Sequence, residues 1–341
     1  MNHALPIRET HRCVPGPVGG EVMVPVTPAD NDTPTFAAND LAAARAYYDA
    51  EGYVVIRGAV PVADCVAAHQ AYLREVKPDR GFFYRQTSSG RYERHVFTPQ
   101  GFMLNAMLNV QDFDRRRSPL FPEAALKVLT APALQKAASA LLGEKAKIVQ
   151  TMYFEGNPAT WAHQDSYYLD SEKIGTMVAA WVALEEIAPG AGRFYVYPRS
   201  HKVEMLRHAA GVDIAFNHER YKAAMLQAMA EQGLPCHAPA LGPGDVLFWN
   251  ALTVHGSLAT TQPERSRNSF TMHLLAESHG FLQFQSRLRQ LNLETVNGVS
   301  VHHPKNLNRF RNRAVAFAET YFPGPFYALK NLAIRALVSR K

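Results

Sequence analysis

Cysteine is scarce in this chain: Cys13, Cys65 and Cys236 are the only three among 341 residues, they lie far apart, and their number is odd. That excludes a disulfide framework or a cysteine-based zinc site as the basis of the fold, and it fits a reducing, cytoplasmic compartment. Long apolar runs are lacking too. No stretch of about 18 uninterrupted apolar residues occurs, and the opening Met-Asn-His-Ala-Leu-Pro has no basic segment leading into an apolar one, so neither a membrane span nor a secretory signal is expected. An excess of one charge is missing as well: 36 Lys and Arg stand against 30 Asp and Glu, a net charge of +6. The basic residues gather only near the C-terminus, at His302, His303, Lys305, Arg309, Arg311 and Arg313. They are read as a solvated basic surface, and no element for reading nucleic acid is visible. Internal repeats, a Walker loop and a Gly-x-Gly-x-x-Gly fingerprint are also absent. What is present is ample core material, 47% hydrophobic against 19% charged residues, which excludes wholesale disorder.

Residues 1–38 are rich in Pro, Gly, Asp and Asn and read as an extended, loosely packed leader. Residues 39–300 read as one domain, and 301–341 as a basic helical extension. The domain opens with a helix over 40–48, closed by Gly52, then a strand over 53–57 and a second helix over 62–76. Residues 80–120 mix aromatics with Arg80, Arg85, Arg91 and Arg94 and read as a long loop, either a lid over a substrate or ordinary surface packing. Helical spacing returns over 122–142, followed by strands at 147–154, 177–184, 192–197, 245–249 and 269–275. Short strands after a helical section predict a mainly β fold, an antiparallel barrel or sandwich with flanking helices.

The chemistry centres on His163-Gln164-Asp165 and, about ninety residues later, His255-Gly256-Ser257. In extended chain, residues two apart point the same way, so His163 and Asp165 can present an imidazole and a carboxylate to one point, with a third ligand from elsewhere. Two imidazoles and one carboxylate on one octahedral face leave three positions open, which suits iron(II) binding a bidentate co-substrate and dioxygen. Taken alone, His-x-Asp is a weak signal whose usual explanation is plain surface polarity.

The surroundings narrow the choice. His163-Gln164-Asp165-Ser166-Tyr167-Tyr168, the segment from Pro189-Gly190 to Ser200-His201, Gly244-Asp245 leading to Trp249 ahead of His255, and Arg267-Asn268-Ser269-Phe270 occur in this order. Together they resemble the linked motifs of the phytanoyl-CoA dioxygenase family, a branch of the iron(II)/2-oxoglutarate oxygenases. The resemblance covers roughly residues 40–280. It implies a double-stranded β-helix (jelly-roll, cupin-like) core, with His163, Asp165 and His255 as both metal ligands and catalytic centre. It also implies Fe(II), 2-oxoglutarate and O2 as cofactor and co-substrates, Arg267 holding the 2-oxoglutarate carboxylate, and Gln150 hydrogen-bonding in the same pocket. Arg265 lies close to the expected position, but Arg267 aligns the following strand without a gap. A guanidinium suits the task because it grips a carboxylate through two parallel hydrogen bonds. Arg199 departs from the family, standing where its Pro-Gly-Ser-His segment has glycine. Asp165 sits where halogenating relatives have a small residue, so hydroxylation of an unactivated C–H bond is expected. Desaturation, epimerisation or cyclisation with the same cofactors is the alternative, and a non-catalytic metal- or sugar-binding barrel the second. The implied substrate is a small molecule, whether secondary metabolite, acyl group, glycan or lipid-linked.

Of the remaining histidines, His201, His208, His218, His237, His279, His302 and His303 are expected to be structural or exposed, while His273 could face the pocket. Trp181 and Trp249 read as core, and Tyr167 or Tyr168 as lining the substrate pocket. Over 326–341, Leu329, Leu332, Ala333, Ala336 and Leu337 share a helical face ringed by Lys330, Arg335, Arg340 and Lys341. Such a helix can pack on its own domain, which is the expectation here, or lie on an anionic membrane or pair with another subunit.

Overall fold

The computed structural model describes residues 10–15, 21–26, 33–85, 91–203 and 218–338. Near the N-terminus β1 (His11–Pro15) and β2 (Glu21–Pro25) form an antiparallel hairpin. Val22 and Val24 are buried there and His11 Nε2 bonds the Tyr197 hydroxyl at 3.0 Å, so this part of the expected leader is anchored. After β3 (Thr35–Ala37), helix α1 (Leu41–Glu51) stops at Gly52, whose φ of +81° carries the chain into β4 (Tyr53–Arg57). Glycine is needed because a Cβ there would collide with the His201 ring and the Thr253 hydroxyl. Helix α2 (Val62–Ala71) runs on as a π-helical turn, Tyr72–Val76.

The long loop expected over 80–120 contains three short strands, β5 (Phe83–Arg85), β6 (Arg91–Glu93) and β7 (Met107–Leu108), which extend the main sheet. The single helical stretch expected next is two helices, α3 (Phe121–Leu129) and α4 (Pro132–Leu142). Ala131, held extended ahead of Pro132, separates them.

The strands that follow are β8 (Ala146–Phe154), β9 (Leu169–Ser171), β10 (Val178–Ala183), β11 (Phe194–Val196), β12 (Val246–Asn250), β13 (His255–Ser257) and β14 (Ser269–Ala276), with α5 (His218–Gln232) before β12. The main sheet runs β3-β4-β12-β10-β14-β8-β7-β5-β6, and β11 pairs β13 in a smaller sheet. Alternation gives the main sheet two different faces. One, with Val54, Ile56, Ala180, Phe248, Phe270 and Met272, packs in the core shared with α1–α4. The other, with Tyr53, Val55, Ala179, Trp181, Leu247 and Trp249, packs against Val196 and Phe194 of the small sheet. The interior between the two sheets holds the chemistry.

Beyond β14 come β15 (Phe281–Gln283), β16 (Arg287–Arg289), β17 (Leu293–Val296) and β18 (Val299–His302). Strand β18 lies parallel to the outer edge of β8. His302 and His303 are therefore buried, unlike the solvated surface expected of them. The burial is balanced: His303 Nδ1 donates to Asp112 at 2.9 Å, and the other Asp112 oxygen accepts the Lys305 N–H at 2.6 Å. Helices α6 (Phe310–Tyr321) and α7 (Pro323–Val338) follow. Among the described residues no helix is long and apolar enough to cross a membrane.

Candidate metal centre and co-substrate pocket

His163 and His255 face each other across a backbone bridge, each N–H bonding the other's carbonyl at 3.0 Å, which brings their rings to 4.3 Å between centroids. Gln164 keeps the chain extended, so Asp165, which opens a short 3-10 turn, falls on the same side. One ligand atom from each of His163, Asp165 and His255 lies within 4.8 Å of the others, a group able to hold a metal ion. The tautomers follow from the partners. His163 Nδ1 sits 2.8 Å from the Trp161 carbonyl and His255 Nδ1 2.9 Å from that of Thr253. A carbonyl only accepts, so both Nδ1 atoms carry hydrogen and both Nε2 lone pairs turn inward. Those Nε2 atoms lie 3.7 and 3.5 Å from Asp165 Oδ1.

Electrostatics favour ligation. Burial, then neighbouring His255, pushes the His163 pKa down to about 4, so its ring is neutral near pH 7. Burial alone would raise the Asp165 carboxyl, but the neighbouring His255 and His273 more than offset it and hold it well below the usual carboxylate range.

Trp249, expected only as core, is buried as foreseen but also donates Nε1–H to Asp165 Oδ2 at 2.8 Å. His273 Nε2 lies 3.4 Å from the same oxygen, so this histidine does face the site. Phe194 stacks on the His255 ring, 5.3 Å away and tilted by 17°. Trp249 and Phe194 were illegible as site residues, because an aromatic in an apolar strand gives one signal for packing and for bonding. The only hint was the position of Trp249 six residues before His255.

Arg267 lies two residues before β14 and is 2% exposed. Its Nη1 bonds the Gly192 carbonyl at 3.0 Å, its guanidinium lies by the rings of Phe154 and Trp181, and its Nε has no acceptor. Burial lowers its pKa to about 9, with no acid contributing to the shift. Arg265, in contrast, is exposed. Gln150 pairs with His273 across β8 and β14 and so shares its face. Tyr167 is buried and stacked on Tyr221 at 3.7 Å, whereas Tyr168 is half-buried and lies edge-on to His163 at 6.0 Å. Arg199 has a φ of +66°, so at the position where the family has glycine this chain carries arginine in a left-handed conformation. His201 and His279 are part-buried with polar neighbours, His237 bonds Tyr53, and His208 lies outside the described residues.

Residues 48–268, more than half of the chain, match the family model described as Phytanoyl-CoA dioxygenase (PhyH). Peroxisomal phytanoyl-CoA dioxygenase of Homo sapiens is 26% identical over 233 residues, covering 62% of each chain, and that of Bos taurus is 25% identical over 229 residues. The chain thus spans 62% of the length of these curated relatives. Among solved structures, the epimerase SnoN in complex with Fe3+, alpha ketoglutarate and nogalamycin RO superposes with a TM-score of 0.54 at 16% identity, over 76% of this chain and 97% of that one. EctD from S. alaskensis with bound Fe gives 0.52 at 18% identity, over 82% and 89%. These likenesses show the expected fold, a mainly β jelly roll with flanking helices. The chain belongs to the phytanoyl-CoA dioxygenase (PhyH) family of iron(II)/2-oxoglutarate-dependent dioxygenases.

Proposed function

We propose that this dioxygenase hydroxylates an unactivated C–H bond of a small-molecule substrate, with iron(II) held by His163, Asp165 and His255 and 2-oxoglutarate held by Arg267. One observation carries the reading: a fully buried guanidinium with an unpartnered Nε and no acid beside it lies against Trp181, which packs in one cluster with the Trp249 that bonds Asp165. A buried cation of this kind is costly unless an anion completes it, and a terminal carboxylate fits its fork through two parallel bonds. The bound metal would supply activation of dioxygen, coupled to oxidation of the 2-oxo acid to succinate. The chain's own groups do the positioning. The Nδ1 bonds fix both imidazoles, Trp249 holds the outer carboxylate oxygen, and Arg267 orients the co-substrate. Gln150, beside His273, adds an amide to that pocket, and Tyr168 borders the substrate side.

Secondary metabolites, acyl groups and glycan- or lipid-linked molecules all fall within the proposed substrate class, and a cytoplasmic setting accords with three free cysteines. The test is anaerobic loading with iron(II) and 2-oxoglutarate. Wild type is expected to show a weak visible charge-transfer band and, in air, succinate formation, with His163→Ala losing both. Arg267→Ala should keep iron but raise the KM for 2-oxoglutarate at least about a hundredfold, about 2.7 kcal/mol. Absence of iron retention and of succinate in the wild type would turn the reading to a non-catalytic barrel. Product mass separates hydroxylation from desaturation, epimerisation or cyclisation.

A further inference from the structure

Residues 304–341 contain eight Lys and Arg and a single acid, Glu319. That acid is buried and accepts from Lys305 Nζ at 2.9 Å and the Tyr327 hydroxyl at 3.0 Å, so it lends no negative charge to the surface. On α6, Phe310, Phe317 and Tyr321 follow at seven- and four-residue steps and fall within a sector of about 40°, on the side away from Glu319. They are 78%, 58% and 56% exposed, and on α7 Leu329 and Leu332 are 67% and 68% exposed. The face expected to pack on its own domain is thus open to solvent at both leucines. Phe317, Tyr321 and Phe82 form one patch: Phe317 lies 4.7 Å from Tyr321, and Tyr321 lies 5.6 Å from Phe82, over which the Arg94 guanidinium sits at 4.8 Å.

Large aromatic and aliphatic side chains in water beside unpaired positive charge form the composition that settles at the headgroup boundary of an anionic bilayer. A second copy would set like charges against each other at the same patch, and nucleic acid gives no environment for Leu329 and Leu332. We infer that α6 and α7 seat the enzyme peripherally on an anionic lipid surface, with Phe310, Phe317, Leu329 and Leu332 entering the boundary and Arg311 and Lys330 meeting headgroups.

The full chain would be co-sedimented with phosphatidylcholine vesicles, with and without about one third phosphatidylglycerol. Binding should be at least about tenfold tighter to the anionic vesicles and should weaken as salt is raised to about 0.5 M. Arg311→Glu with Lys330→Glu, and separately Phe310→Ser with Phe317→Ser, should each lower it at least about tenfold while succinate formation in solution stays unchanged. No binding by wild type, or equal binding to both vesicle types, overturns the inference without any variant. Lipid binding that the variants leave intact overturns it as well. Lipid-free self-association abolished by the phenylalanine variants would place a second copy on the patch instead, and salt-sensitive retention of DNA without lipid binding would place nucleic acid there.

Discussion

Asp165 has two oxygens with different tasks. Oδ1 faces the two Nε2 lone pairs, while Oδ2 is tied by the Trp249 indole. Trp249→Phe keeps the ring but removes the donor, freeing the carboxylate to turn. Iron(II) affinity is expected to fall about ten- to a hundredfold, as read by metal titration and by the d–d spectrum of the cobalt(II)-substituted protein. A role in packing alone would shift the melting temperature and leave both unchanged. His95 supplies a pH dependence of another kind. Its Nε2 donates to the Val76 carbonyl and its Nδ1 accepts from Arg85, both at 2.8 Å, so the ring is neutral. Burial, then the Arg85 charge, pushes its pKa down to about 4. The unfolded chain takes up this proton near about 6.5, whereas the folded chain refuses it until about 4, so stability falls as pH drops through that window. Urea midpoints at about pH 7 and about pH 4.5 should differ less in His95→Gln, which preserves one donor and one acceptor.

At the scale of elements, local signals were readable where chemistry is local. Gly52 ends α1 because of its φ, and β8, β10, β12 and β14 stand within a residue or two of their sequence bounds. Strands β5, β6 and β7 were not readable, being two or three residues long and existing only because β7 pairs with the edge of β8, β5 with β7 and β6 with β5. Likewise His302 and His303 looked like surface, since Gln111 and Asp112, which bond the His302 carbonyl and the His303 ring, lie about 190 residues earlier. That His163, Asp165 and His255 come together was legible from linked motifs, whereas the Gly192 carbonyl on Arg267 required the fold. Asp112 joins the segment after β18 to the domain, so Asp112→Ala should strand a buried Nδ1–H on His303. About 2–3 kcal/mol of stability should be lost, measured by denaturation, with faster proteolytic release of the chain beyond residue 303.

Seen whole, the main sheet divides labour by the alternation of its side chains. On β14, Phe270 and Met272 enter the core with the helices, while Thr271 and His273 face the interior with Arg267. Phe270→Ala should cost about 3–5 kcal/mol with iron affinity unchanged in the folded fraction. Thr271→Ala should cost less than about 1.5 kcal/mol yet alter KM for 2-oxoglutarate or substrate, as denaturation and steady-state kinetics on the same pair of proteins would show. Neighbouring codons therefore answer to different selective pressures. One set is held by the need to fold and the other by the site it lines, so a change on the interior face can alter the chemistry without exhausting stability.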